Sequence, residues 1–181
     1  SLNSLYDQKL SQDEILKFDQ QFNQIFSVIE KLEKVKLIIK PHPVKNHPKY
    51  LKILENFKHL NWEIRNENLT KLSFESDIML SWYNSAAIIE GLVAKIPSIE
   101  LWHTSKRIYG NYNSSIFSHS GLSVLAKDHL NLERLIIKAI KTKNAKIWKK
   151  QFKKFDSIYG IKKNKSEYTI NLIKKERKKF L

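Results

Sequence analysis

The stretch VKLIIKPHP, residues 35–43, decides the fold that this sequence predicts. Its apolar part is short, nearly continuous and rich in β-branched side chains, which is typical of a strand buried on both faces of a parallel sheet. The two prolines end that strand, because neither can donate a ladder hydrogen bond and each holds the residue before it extended. We therefore expect Lys40 and His42 just beyond the carboxyl end of a central strand. In open α/β sheets that edge is where ligands bind.

The pattern on either side of this stretch predicts short strands that alternate with helices. Ser11 and Glu14 form a capping box, and apolar residues then recur at helical spacing as far as Leu32. The predicted helices cover residues 11–33, 48–57, 69–74, 86–94, 130–143, 145–159 and 166–180. The predicted strands cover residues 35–40, 62–65, 77–81, 98–101 and 122–125, and a long loop covers residues 102–120.

This alternation predicts a single α/β domain: a three-layer, Rossmann-like parallel sheet with helices on both faces and a helical C-terminal extension. The parts of the predicted domain (1–181) are a leading helix in 1–34, the α/β core in 35–143 and basic helices in 144–181. We expect parallel neighbours among the strands 35–40, 77–80 and 98–101. His42 and Ser85 should then lie at the same edge of the sheet.

Composition excludes several classes of site. There is no cysteine, which excludes disulfide scaffolds, thiolate metal sites and cysteine nucleophiles. The histidines show no metal-ligand spacing, and the sequence contains no Gly-rich dinucleotide or phosphate-loop fingerprint. No apolar run approaches the roughly 20 residues of a membrane span, and no signal-peptide pattern opens the chain. We expect a cytoplasmic protein, free or peripheral at the inner membrane face, that uses no metal or cofactor.

Positive charge is concentrated in the last quarter of the chain. The net charge is +15, and residues 138–181 hold 15 lysines and Arg177 against Asp156, Glu167 and Glu176, a balance of +13. Such a tail is compatible with nucleic acid, anionic lipid, an anionic polymer, or simply solvated helix faces. We expect the positive charge of this tail to face solvent or an anionic membrane. We expect no recognition of nucleic acid, because the aromatic residues of the tail recur at helical spacing, as core residues do. These aromatic residues are Trp148, Phe152, Phe155 and Tyr159.

A second constellation, SDIMLSWYNSAAIIEGLVAKIP, occupies residues 76–97. A short polar loop follows the strand of this constellation and places Asn84 and Ser85 at a helix N-terminus. The free backbone N–H groups and the serine hydroxyl at such a position can bind an anion. Glu90, five residues further on, is placed to reach the ribose hydroxyls of a nucleotide whose phosphate binds at the helix start. The alternative, which spacing alone favours, is that these residues are ordinary helix caps and an ordinary surface glutamate.

The order of four motifs resembles the C-terminal nucleotide-binding half of GT-B-type glycosyltransferases. The motifs are IIKPHP, a strand beginning SD, NSAAIIEG and KIPSIEL, which together cover about residues 35–101. The most similar groups build bacterial surface polysaccharides: capsule and Kdo transferases, bacterial sialyltransferases and CDP-glycerol glycerophosphotransferases. UDP-GlcNAc epimerases share the half-fold. Lys95 stands where these families usually have a glycine.

The resemblance implies a role for each site residue. His42 and Pro43 would contact the donor's phosphate or nucleotide. We expect His42 to act in catalysis by neutralising the phosphate that leaves or by hydrogen-bonding to it, and Lys40 either to add charge nearby or to point away from the site. Ser85, beside Asn84, would bind phosphate, and Glu90 would reach ribose. The donor would be a CMP-, CDP- or UDP-linked sugar or polyol.

Three functions follow as alternatives. The first is the donor-binding half of a transferase of capsule or other surface polysaccharides, whose acceptor is bound by a missing N-terminal domain or a partner chain. The second is a non-catalytic interaction domain derived from such a transferase. The third is a nucleic-acid-binding module that uses the basic helices.

Overall fold

A computed structural model describes residues 12–41, 50–82, 85–102 and 115–159 of the chain. The helices in these ranges are α1 (Gln12–Glu30), α2 (Tyr50–Leu54), α3 (Leu69–Phe74), α4 (Ala87–Val93), α5 (Ile116–His119), α6 (His129–Lys141) and α7 (Lys146–Tyr159). The strands are β1 (Leu37–Ile39), β2 (Trp62–Ile64), β3 (Met79–Ser81), β4 (Ser98–Glu100) and β5 (Val124–Leu125). The fold is α/β and Rossmann-like in its alternation, as the sequence predicts.

All the described strands pair in parallel, and they form two small sheets. β1 pairs with β2, with Ile39 opposite Ile64. The second sheet has the order β3-β4-β5, with Ser81 opposite Glu100 at the carboxyl ends of β3 and β4. Strand β4 is therefore the central strand of three, and its last residue lies where the sheet ends.

The predicted pairing of strand 35–40 with strand 77–80 is wrong within the described residues. β1 instead forms its ladder with β2, which extends beyond the strand limits where Arg65 N–H donates to Ile39 O over 3.0 Å. Consecutive parallel strands joined through a helix usually pair, which accounts for the ladder between β1 and β2. The predicted neighbours 77–80 and 98–101 are confirmed as β3 and β4.

The main core lies between helix α1 and the rest of the domain. Helix α1 buries Phe22, Ile25, Phe26 and Ile29 against α6, which contributes Leu132, Ile136 and Ala139 to the same cluster. Side chains of both sheets, among them Leu37 of β1 and Leu80 of β3, pack against this cluster. One hydrophobic core therefore serves both sheets, and each large apolar side chain that it buries stabilises the fold by about 1.5–3 kcal/mol.

Helix α7 belongs to the core of the domain. Trp148 and Phe155 are almost completely buried, and Phe152 is half-buried, as the helical spacing predicts. Tyr159 departs from the prediction, because it lies at the end of α7 and is 43% exposed. The buried amide of Gln151 accepts from Ser98 N–H over 3.2 Å and donates to the carbonyl oxygens of Ser98 and Leu122, at 2.7 and 2.9 Å.

The predicted loop 102–120 contains one further element. Ser115 caps the short helix α5 with its hydroxyl, which accepts from Ser118 N–H over 3.2 Å. Residues 103–114 lie outside the described ranges, as do Ser11, Pro48 and the predicted helix 166–180. Elsewhere the predicted element bounds differ from the observed ones by a few residues at most, which is the usual uncertainty at helix and strand ends.

Candidate functional site

Lys40 directly follows β1 and lies at the carboxyl end of the first sheet. Its Nζ donates a long hydrogen bond of 3.4 Å to the carbonyl oxygen of Asn66, which stands two residues beyond β2. Because β1 and β2 are parallel, their outgoing connections meet at this edge. His42 and Pro43 follow Lys40 in the chain and lie outside the described residues.

Ser85 stands at the start of α4, in the connection that follows β3. The helix begins one residue later than predicted, with Ala86 at the N-cap position. Ser85 still serves this turn, because its Oγ accepts from the backbone N–H of Ala87 over 3.2 Å. A hydroxyl that accepts in this way keeps its own hydrogen for another partner. Asn84 lies outside the described residues.

Glu90 is held by a neighbouring helix. Thr70, in the first turn of α3, donates its hydroxyl hydrogen to Glu90 Oε2 over 2.7 Å. Thr70 is positioned in turn by Asn68, the N-cap of α3, whose side chain accepts from Thr70 N–H over 2.8 Å. Glu90 Oε1 accepts no hydrogen bond from the part of the chain that the structure describes. Glu90 is half-buried, and Thr70 fixes the orientation of its carboxylate through Oε2.

Two hydrogen bonds link the connections that follow β1, β2 and β3. The connection after β2 carries both Asn66, which binds Lys40, and Thr70, which binds Glu90. It therefore joins the end of β1 to the helix that follows β3. Lys40 makes no direct hydrogen bond or ion pair with Ser85 or Glu90 among the described residues.

An arginine in the same connection is fully occupied by carboxylates. Arg65 donates from Nε and Nη2 to Glu67 Oε1 and from Nη1 to Glu75 Oε2, at 2.9, 2.5 and 2.6 Å. The hydrogen bond from Arg65 lowers the pKa of Glu67 to about 2. The hydrogen bonds to Glu67 and then Glu75 raise the pKa of Arg65 above its ordinary value. Its positive charge is thus neutralised locally, whereas Lys40, at the same edge, makes no ion pair with any residue that the structure describes.

Sequence reasoning missed a buried polar cluster at the end of the second sheet. Glu100 is 0% exposed, and its Oε2 accepts from the hydroxyls of Ser123, at 3.0 Å, and Ser115. Ser81, opposite Glu100 in the ladder, is also buried, and its Oγ has no hydrogen-bond partner in the described part of the chain. The sequence carries one signal for this cluster, a glutamate within the apolar strand 98–101.

The described ranges contain neither a cluster of metal ligands nor a membrane-spanning helix. Within them, no three side chains of His, Asp or Glu come together in a group that could hold a metal ion. None of the helices described there combines the length and apolar character needed to cross a bilayer. Among the described residues, the candidate site offers the Lys40 ammonium, the Ser85 hydroxyl and the Glu90 carboxylate.

Comparisons with known proteins add no family to this description. No protein-family model matches the chain, and no curated protein and no solved structure is significantly similar to it.

Proposed function

We propose that this domain binds a nucleotide-activated sugar or polyol as the donor-binding half of a glycosyltransferase or glycerophosphotransferase of surface-polysaccharide synthesis. One observation carries the proposal: Lys40, Ser85 and Glu90 stand in the connections after β1 and β3, and these are joined through Asn66 and Thr70. Ligands of open α/β sheets bind where such connections meet.

Each residue of the proposed site is assigned the contact with the donor that suits its chemistry. The donor's phosphates are negatively charged and accept hydrogen bonds, which suits the Lys40 ammonium and the Ser85 hydroxyl. His42 and Pro43, together with Asn84, complete the phosphate contacts. Glu90 Oε1 accepts from a ribose hydroxyl, while Thr70 holds the other oxygen at 2.7 Å.

The proposed catalytic contribution is electrostatic. In sugar transfer and in glycerophosphate transfer alike, negative charge grows on the phosphate that leaves with the nucleotide. Donors fixed beforehand at that phosphate favour the transition state over the ground state. His42 is assigned this role, and Lys40 supports it. The acceptor is bound outside this domain, by a further domain or a partner chain.

The test is a calorimetric titration of the full chain with CMP, CDP and UDP, each compared with its nucleoside. Wild type should prefer the diphosphate, and His42→Ala and Ser85→Ala should each weaken diphosphate binding. A lost hydrogen bond to a charged group costs about 1.5–3 kcal/mol, or roughly ten- to a hundred-fold in affinity. Binding of the nucleoside alone should change little.

The matched control is Ser157→Ala, which removes an exposed hydroxyl of α7 whose hydrogen bond is to Lys154 O. It should leave every affinity unchanged. If His42→Ala binds CDP and UDP as wild type does, His42 does not hold the donor phosphate. If wild type binds none of CMP, CDP and UDP, the donor-binding function is refuted.

A further inference from the structure

A run of eight lysines without a single acidic residue lies between Lys138 and Lys154. Five of them fall on α7 at the spacing of one helix face, and all five are exposed. We call this set the lysine face: Lys146, Lys149, Lys150, Lys153 and Lys154. The opposite side of the helix carries Trp148 and Phe155, which are buried in the domain. Packing therefore fixes the orientation of α7 and turns the lysine face outward.

The charge of the lysine face is not balanced within the described structure. Nearby carboxylates are engaged elsewhere, because Asp77 pairs with Lys143 and Asp156 pairs with Lys95, both at 2.5 Å. No side chain of the lysine face makes an ion pair with a described residue. Like charges three and four residues apart on a helix destabilise it. An anionic surface placed against this face would relieve that repulsion.

The surroundings of the lysine face suit a bilayer better than a nucleic acid. Ile158 lies four residues after Lys154 and seven after the buried Gln151, at the border between the lysine face and the buried side of α7, and it is 48% exposed. It therefore offers an apolar contact at the edge of the lysine face. Two aromatic rings of α7 that could stack on bases, Trp148 and Phe155, are buried instead. Tyr159 is 43% exposed, but its ring packs against Phe155, 4.9 Å between centroids, on the side of α7 away from the lysine face. Lysine ammonium groups are point charges and lack the planar fork with which arginine reads guanine.

We propose that the lysine face of α7 docks this protein on an anionic lipid bilayer. The helix lies against the lipid headgroups, with the rest of the domain on its other side. The interaction is electrostatic and reversible, since each lysine near an anionic surface contributes about a five-fold gain in affinity. The inference rests on charge and burial alone and holds whether or not the domain binds a nucleotide.

The test is flotation of the full chain with vesicles of phosphatidylcholine, pure or with about one-third phosphatidylglycerol. Wild type should bind the mixed vesicles and not the neutral ones, and binding should fall as salt rises because screening shortens the reach of the charges. The triple variant K149Q/K150Q/K153Q should bind about a hundred-fold more weakly, from three factors of about five.

The matched control is K31Q/K52Q/K58Q, which removes the same charge from exposed positions outside α6 and α7. It should retain most of the binding, and circular dichroism should show both variants folded. If both triple variants lose vesicle binding equally, net charge alone determines the binding. If K149Q/K150Q/K153Q loses none, the lysine face does not contact the membrane. Either result overturns the proposal. So does failure of wild type to bind the mixed vesicles, or tighter binding to duplex RNA or DNA at the same salt.

Discussion

The Thr70 hydroxyl lies 2.7 Å from Glu90 Oε2, and this hydrogen bond ties helix α3 to helix α4 across the connections that follow β2 and β3. Thr70 is not a ligand contact in the proposed function. Its role is to fix the direction in which Glu90 presents its other oxygen. The bond therefore allows the role of Glu90 to be tested separately from the role of the phosphate contacts.

The first prediction concerns recognition of ribose. Glu90→Gln should narrow the preference of the protein for CDP over 2′-deoxy-CDP, because an amide oxygen is a weaker acceptor than a carboxylate oxygen. Thr70→Val should narrow the same preference by several-fold, since Glu90 loses its orienting partner. Calorimetric titration with the two nucleotides measures both effects. Thr142→Val, at the exposed C-cap of α6, is the control, and an unchanged ribose preference in Glu90→Gln would exclude Glu90 from the site.

The second prediction concerns the close approach of α4 to the sheet. A Cβ added to Gly91 would lie 2.6 Å from Ser98 Oγ and 2.9 Å from Met79 Cβ. Overpacking should therefore lower the unfolding free energy of Gly91→Ala by roughly 1–3 kcal/mol. The better helix propensity of alanine should offset about 1 kcal/mol of this loss. Urea unfolding measures the net change. The control is Val93→Ala, which measures how an alanine at an exposed position of α4 changes the unfolding free energy. If Gly91→Ala stabilises the protein, the close packing of α4 on the sheet is contradicted.

The third prediction concerns the left-handed backbone at Lys95. Lys95 has φ of 58° after the C-cap of α4, a position that usually takes glycine. Its Nζ contacts Asp156 at 2.5 Å and lies 5.6 Å from the centroid of the Phe155 ring. Both Lys95→Ala and Lys95→Gly lose these contacts, but only glycine relieves the backbone strain. Lys95→Gly should therefore be more stable than Lys95→Ala by about 1–2 kcal/mol in thermal or urea unfolding.

The control for this comparison is the same pair of substitutions at Lys138, inside α6. Glycine should there be less stable than alanine by about 1 kcal/mol, because the helix interior favours alanine. The order of the two variants thus reverses between the sites. The same order at both sites would contradict a strained backbone at Lys95.

The fourth prediction concerns the buried amide of Gln151. Gln151→Met keeps the volume of the side chain but leaves Ser98 N–H, Ser98 O and Leu122 O without their partner. A buried polar group without a partner costs about 1–3 kcal/mol, so the total loss should exceed about 3 kcal/mol. Lys150→Met, at the exposed neighbouring position, should change the unfolding free energy by less than about 0.5 kcal/mol. A tolerated Gln151→Met would mean that these backbone groups find other partners.

The fifth prediction concerns stability in acid. The pKa of Glu67 is about 2 in the folded chain against an ordinary value of 4.5, chiefly because of the hydrogen bond from Arg65. A carboxyl group whose pKa is lower in the folded chain than in the unfolded chain stabilises the fold at pH values above its unfolded pKa. That stabilisation is lost as the pH falls toward its folded pKa. Stability should therefore decline between about pH 4.5 and pH 2, and Glu67→Gln should reduce this decline. Glu55→Gln, at an exposed position outside the pair, should leave the slope unchanged.

Local patterns predicted the class of fold because each depends on residues close in sequence. Helix α3 has the predicted limits, Leu69–Phe74, since Asn68 caps it and the polar sequence after it ends it. The burial of Trp148 and Phe155 follows likewise from helical spacing. The apolar runs 77–81 and 98–101 indicated β3 and β4, whose pairing follows the usual adjacency of consecutive strands.

The site and the strand order depend on contacts between distant residues, which local patterns do not report. Thr70 and Glu90 are 20 residues apart, and Glu100 is 23 residues from Ser123. Nothing near Glu90 indicates that a threonine will orient it, and nothing near Glu100 indicates that its partners will be serines. The break between β1 and β3, which leaves two sheets where one was predicted, likewise has no signal in the local sequence.

The link between Gln151 and Ser98 has a consequence for biosynthesis, because 53 residues separate the two. A ribosome releases β4 well before it releases α7, so for part of synthesis the backbone of Ser98 lacks the partner that it has in the finished fold. Trp148 and Phe155 reach the core equally late. Contacts this distant in sequence slow folding, and they keep apolar surface exposed until they form. The nascent chain should therefore remain protease-sensitive until α7 has emerged from the exit tunnel.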